Sequence, residues 1–124
     1  MARVLIVDDD FDMRDTLRDI LEDEGLGVGV AADGLEALAW LQSNPPPALI
    51  LLDWMMPRCD GAEFRARQRA SPQLANIPVV LLTADLRIRD QVDALGAVDF
   101  LAKPVRLARL LEVVRRYCDP AAST

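Results

Sequence analysis

A chain of 124 residues, 52% hydrophobic and 27% charged, has the size and composition of one folded domain rather than of a disordered segment or a domain pair. Its net charge of −6 and pI near 4.5 oppose direct nucleic-acid binding, because phosphate neutralisation supplies most of that affinity. Histidine is absent, which removes the commonest general base and excludes a self-phosphorylating histidine kinase or histidine phosphocarrier.

The start of the chain has no basic segment followed by an apolar signal core, and no apolar run reaches membrane-spanning length. A cytoplasmic location with no membrane contact is expected. Cys59 and Cys118 lack metal-ligand spacing and are expected as free thiols. Residues 1–62 hold thirteen acidic and four basic side chains, whereas residues 63–124 hold seven and ten, so the first half is the one suited to attract a cation.

In chain order, residues 3–8 contain the continuous apolar run Val4-Leu5-Ile6-Val7 and read as a strand buried on both faces. Met13, Leu17, Ile20 and Leu21 recur at helical spacing behind Asp10 or Asp12 as cap, and Gly25 ends that helix. Residues 26–31 form a glycine-rich second strand expected at a sheet edge. Asp33-Gly34 reads as a turn, and Leu35, Leu38 and Leu41 then mark a second helix that stops before Pro45-Pro46-Pro47. Residues 48–53 are a third strand. Asp60-Gly61 is another turn, and the third helix, over about residues 61–70, has Phe64 as its single large apolar residue among Arg65, Arg67 and Arg69. Residues 77–82 are a fourth strand, Ile88, Val92 and Leu95 mark a fourth helix ending at Gly96, residues 98–102 are a fifth strand, and Leu107, Leu110, Leu111, Val114 and Tyr117 mark a fifth helix. Trp40 and Trp54 read as packing or surface residues. The result is an α/β fold of (βα)5 pattern, in which doubly buried strands run parallel and are joined by crossover helices.

In such a sheet, ligands bind beyond the carboxyl ends of the strands. Four of the apolar runs end there in polar residues: Asp8 and Asp9, Asp53, Thr83, and Lys103, which is the single lysine beside thirteen arginines. Carboxylates at neighbouring strand ends repel by roughly 3 kcal/mol per pair at ~5 Å and an effective dielectric near 20. A hydrated Mg²⁺ offsets that repulsion and leaves open positions for a phosphate oxygen. Asp53 is the expected nucleophile, since it ends the central strand and precedes the tight segment Trp54-Met55-Met56-Pro57. Lys103 and the Thr83 hydroxyl then serve the phosphoryl oxygens of an in-line transfer. Taken singly, the acidic triplet could be a solvated strand end with a helix cap, Thr83-Ala84-Asp85 a turn, and Lys103-Pro104 a helix start. Their convergence on one sheet edge in the right order favours the chemical reading.

The sequence resembles the receiver domains of bacterial two-component response regulators, with the CheY-like, flavodoxin-like sandwich and strand order 2-1-3-4-5 that this implies. The matching segments are Val7-Asp8-Asp9, Ala32-Asp33-Gly34 with Glu36-Ala37-Leu38, Leu52-Asp53 with Met56-Pro57 and Asp60-Gly61, Leu82-Thr83-Ala84, Gly96-Ala97, and Phe100-Leu101-Ala102-Lys103-Pro104. By that resemblance residues 1–119 form the receiver domain and residues 120–124 a tail. Asp53 takes a phosphoryl group from the phosphohistidine of a sensor histidine kinase or histidine phosphotransfer protein. Asp9, Asp53 and the Met55 carbonyl bind Mg²⁺, and Asp8 supports the metal through water. Thr83 and Lys103 contact the phosphoryl group, Pro104 follows a cis peptide, and Thr83 with Phe100 acts as the switch toward a downstream partner or output domain. Such a domain catalyses only its own phosphorylation and dephosphorylation. Family positions that tune self-hydrolysis hold Met55 and Asp85, and Met55 cannot orient a water, so an acyl phosphate that is not short-lived is expected. Phe100 lacks a hydroxyl and should favour burial. Val113 stands where the dimerising subgroup has arginine, which leaves a homodimer open.

Three other classes compete. A phosphatase working through an aspartyl phosphate wants an acid two residues after the nucleophile, where Met55 stands. A nucleotide or flavin binder wants a glycine-rich loop after the first strand, where three aspartates stand. The remaining rival is a phosphorylation-independent interaction module on the same fold.

Overall fold

The computed structural model describes residues 3–56, 60–94 and 96–118. Strands β1 (Arg3–Val7), β2 (Gly27–Ala31), β3 (Leu49–Asp53), β4 (Val79–Thr83) and β5 (Asp99–Ala102) alternate with helices α1 (Phe11–Asp23), α2 (Gly34–Ser43), α3 (Gly61–Ala70) and α4 (Leu107–Cys118). A 3-10 helix, Leu86–Gln91, connects β4 to β5. The strands form one parallel sheet in the order β2-β1-β3-β4-β5, as expected, with β2 at an edge.

The period-two alternation of side chains across a strand explains why the runs are apolar throughout. Leu5, Val7, Ile50, Leu52, Val79 and Leu81 face one layer with Ala37, Leu41, Phe64 and Ile88. Val4, Ile6, Leu49, Leu51, Val80 and Leu82 face the other with Leu17, Leu21, Leu110, Val113 and Val114. Both faces are covered, so every second residue has a core to fill.

Local chemistry sets the element ends. Asp10 caps α1 by accepting from the Asp12 and Met13 N–H groups, and Gly25, at φ +84°, takes the chain out of that helix. Asp33 and Asp60, expected as turn residues, are N-caps of α2 and α3, accepting from Glu36 N–H and Glu63 N–H. At the sheet edge, a Cβ on Gly29 would overlap the Trp40 ring, so this glycine is what lets α2 close onto β2. Strand β4 begins one residue after Pro78, which has no N–H to give a ladder.

The fourth helix is corrected. Its segment forms only the short 3-10 helix, followed by turns, so the described residues contain four α-helices rather than five. Within it Ile88 is buried and Val92 half-buried, while Arg87, Arg89, Asp90, Gln91, Asp93 and Ala94 are exposed. Among the described side chains that apolar stripe is too narrow for packing to offset the nucleation cost of a regular helix. Leu95, Cys59 and residues 120–124 lie outside the described residues. Cys118 is a buried free thiol, its pKa pushed up to about 11 by burial. Among the described residues no helix is long and apolar enough to cross a membrane.

Candidate functional site

Asp8, Asp9, Asp53, Thr83 and Lys103 come together at the carboxyl edge of the sheet, because β1, β3, β4 and β5 all run the same way and end there. Asp8 leaves β1 with its N–H still bonded to the Ala31 carbonyl (3.1 Å), which fixes its carboxylate over the sheet edge at 0% exposure. Its Oδ1 accepts from Asp10 N–H at 2.9 Å. Asp53 is the last residue of β3 and is also buried, its Oδ1 accepting from Met55 N–H at 3.3 Å. Asp9 is exposed. One oxygen from each of Asp8, Asp9 and Asp53 lies within 4.8 Å of the others.

Lys103 N–H donates to the Thr83 carbonyl (2.9 Å), extending the β4–β5 pairing to the lysine. Its Nζ lies 2.9 Å from Asp8 Oδ2 and 3.5 Å from Asp53 Oδ1. The Lys103–Pro104 peptide is cis. Thr83 is buried at the end of β4, and its Oγ1 accepts from Asp85 N–H at 2.9 Å. Phe100 is half-buried against the α2–α3 layer. Met55 is 72% exposed, and Trp54 packs beside Gly61.

The electrostatics follow from this crowding. Burial, then the Asp8 carboxylate, push the Asp53 pKa up to about 7 against the opposing pull of Lys103, with Asp9 adding to the rise and Met55 N–H countering it. For Lys103, burial acts to lower the pKa, but the bonds and charges of Asp8 and Asp53 outweigh it and the net shift is upward. One ammonium therefore faces more carboxylate charge than it can neutralise. The donor set is oxygen alone, partly desolvated and over-charged, which is what a hard divalent cation such as Mg²⁺ fits.

Two groups that sequence reasoning missed hold segments around the site, Arg14 at this edge and Arg65 at the far end of the β4–β5 connector. Arg14 Nη1 donates to the Asp8 carbonyl at 2.8 Å while its guanidinium lies 5.6 Å from the Phe11 ring centroid, fixing the loop that carries the acidic residues. An arginine in the first turn of a strongly acidic helix was the available signal. Arg65, on α3, is buried and donates to the Gly96 carbonyl at 2.9 Å. Asp85, two residues past Thr83, is gripped by Arg87 through three contacts of 2.8 to 3.2 Å, and those bonds hold its carboxyl down to about 2.

Comparison with known proteins places this arrangement. Residues 4–115 match the response regulator receiver domain family. The chain is 42% identical over 116 residues to response regulator MprA of Mycobacterium bovis, covering 92% of this chain but 49% of MprA, so it spans about half the length of that relative. It is 44% identical over 117 residues to an uncharacterized 14.6 kDa protein of Leptolyngbya boryana, covering 93% of this chain and 88% of that one. The structure of the Vibrio cholerae chemotaxis protein CheY4 superposes with a TM-score of 0.86 at 35% identity, covering 94% of this chain and 98% of that one.

Proposed function

Since the chain belongs to the response regulator receiver domain family of two-component signalling, we propose that it is a switch thrown by phosphorylation of Asp53. The observation that carries this reading is the meeting of three carboxylates with a single ammonium, 2.9 and 3.5 Å from two of them, at the carboxyl edge of the sheet.

An Asp53 carboxylate oxygen attacks the phosphorus of a partner's phosphohistidine. A P–O bond forms as the P–N bond breaks, and an imidazole that enters protonated leaves neutral. Asp9, Asp53 and the Met55 carbonyl would hold Mg²⁺, with Asp8 supporting it through water, and the ion would supply the neutralisation that lets carboxylates and phosphoryl oxygens approach. Lys103 exchanges part of its pairing with Asp8 and Asp53 for a phosphoryl oxygen, and the Thr83 hydroxyl donates to another. The donor is a sensor histidine kinase or histidine phosphotransfer protein, and the setting is the cytoplasm. When Thr83 turns inward, Phe100 follows, and the face formed by the β4–β5 connector, β5 and α4 changes shape for a downstream partner or an attached output domain. The chemistry is limited to the domain's own phosphorylation and dephosphorylation.

Incubation with acetyl phosphate and Mg²⁺, read by intact mass, tests the reading. One phosphoryl group is expected on the wild type and none on Asp53→Ala. Equal labelling of both, or none of either, sinks it and leaves the fold as a phosphorylation-independent interaction module.

A further inference from the structure

The buried face of α3 consists of Gly61, Phe64, Arg65 and Gln68, so half of it is polar. Gln68 Nε2 donates to the Leu74 and Ile77 carbonyls, and Arg65 Nη2 donates to the Gly96 carbonyl at 2.9 Å. The arginine is 7% exposed. An apolar side chain would occupy that place without desolvating a cation, so the guanidinium is there for its polar contacts, the Gly96 carbonyl among them, rather than for packing. Burial, helped by repulsion from Arg69, lowers its pKa, a sign that water would hold the charge better than this site does.

Gly96 ends the connector between β4 and β5, where it adopts φ +71° and donates to the Asp93 carbonyl. The other end of the connector is the Asp85 N–H on the Thr83 hydroxyl, 2.9 Å away. One end is therefore tied to the group that would meet the phosphoryl oxygen. The other is tied to α3, whose own first residue follows the Asp53 loop and donates to the Trp54 carbonyl. Between the two ties lies the segment that forms a 3-10 turn where helical spacing called for a helix.

We propose that the Arg65–Gly96 hydrogen bond is a latch that holds the β4–β5 connector in its short resting form and opposes the switch, an inference that rests on the phosphoryl-switch reading above. Turning Thr83 toward a phosphoryl group removes the partner of Asp85 N–H and loosens one end. Release of Arg65 at the other end returns a cation to water, so the latch is poised rather than permanent. Its strength sets how much phosphoryl binding must supply.

The test is amide hydrogen exchange across residues 84–97 combined with a beryllofluoride titration in Mg²⁺, on the wild type, Arg65→Met and Arg65→Lys. Arg65→Met is expected to speed exchange at Gly96 and Ala97 by roughly tenfold, equivalent to one lost charge-assisted hydrogen bond, and to tighten beryllofluoride binding by a similar factor. Arg65→Lys keeps a cation near the carbonyl and is expected to move both readouts part of the way. Should the methionine variant not fold, the lysine variant decides: movement of both readouts supports the latch, and movement of neither overturns it. Unchanged exchange, or faster exchange with beryllofluoride affinity unchanged or weaker, marks Arg65 as structural only and overturns the latch. A wild type that ignores beryllofluoride is a separate failure, of the phosphoryl switch itself, and takes the latch with it.

Discussion

Asp53 keeps its proton to a higher pH than an ordinary carboxyl group, because its surroundings disfavour the charge. With its pKa raised from 3.8 to about 7 by burial and Asp8, the folded chain binds a proton more tightly than the unfolded chain does. The resulting stabilisation is present in full below 3.8 and is lost as pH rises through about 7. Asp53→Asn abolishes this titration and is expected to stabilise the metal-free chain by roughly 2–4 kcal/mol at about pH 8 and by much less at about pH 5, measured by urea unfolding. An equal gain at both pH values would show that charge crowding is not the cause. A second residue-scale prediction concerns the acyl phosphate. Met55 offers an exposed thioether and Asp85 is committed to Arg87, so slow hydrolysis is expected. Decay of the phosphorylated chain, followed by intact mass, is expected over minutes or longer and to quicken several-fold in Met55→Asn; decay within seconds contradicts it. The residues of the candidate site were legible in the sequence because they stand at the ends of apolar strands, and the end of a parallel strand is a fixed place in the fold. Arg14 and Arg65 were not, because their partners are backbone carbonyls whose positions depend on how the helices turn onto the sheet.

The helices show which local signals travel well from sequence to structure. Aspartates ahead of α1, α2 and α3 all act as caps, and at α2 the arrangement is reciprocal, with Asp33 accepting from Glu36 N–H while Glu36 Oε1 accepts from Ala32 N–H. Asp33 is buried, so its removal strands a desolvated donor as well as a cap. Asp33→Ala is expected to cost about 1–2 kcal/mol by chemical denaturation, and Asp60→Ala, at an exposed cap, about 1 kcal/mol or less. The connector between β4 and β5 is where the local signal fails. Ile88, Val92 and Leu95 have helical spacing, but spacing specifies a helix only when a facing surface is apolar enough to hold it, and α3 presents Arg65 toward its far end. The polar third helix persists in spite of its composition because Phe64 is fully buried and Gln68 and Arg65 find backbone carbonyls.

For the molecule as a whole, the concentration of negative charge at one sheet edge is expected to link cation binding to folding. Mg²⁺ that binds only the folded site stabilises by mass action, so at about ten times its Kd it is expected to add roughly 1.4 kcal/mol and raise Tm, an effect lost in Asp9→Asn and Asp53→Asn. A thermal melt that Mg²⁺ leaves unmoved contradicts the metal reading. The two-layer packing makes such an edge possible, since a sheet with both faces covered leaves its strand ends as the place where polar side chains gather. Ion pairs also tie elements distant in sequence, with Arg115 of α4 meeting Glu24 at the end of α1, and Arg109 and Arg116 of α4 meeting Asp99 of β5. Those charges are answered within the chain.

Strand number, direction and the identity of the strand-end residues were legible in the sequence, because doubly buried strands leave continuous apolar runs that call for a parallel sheet, while the strand order was what the family resemblance implied. What tertiary structure decided was everything that depends on a distance between elements: the pairing of Lys103 with Asp8 as well as Asp53, the raised pKa of Asp53, the Arg65–Gly96 bond and the collapse of a predicted helix to a 3-10 turn. Periodicity records which way a side chain faces. It does not record what another segment has placed opposite, and charge crowding and helix stability both turn on that.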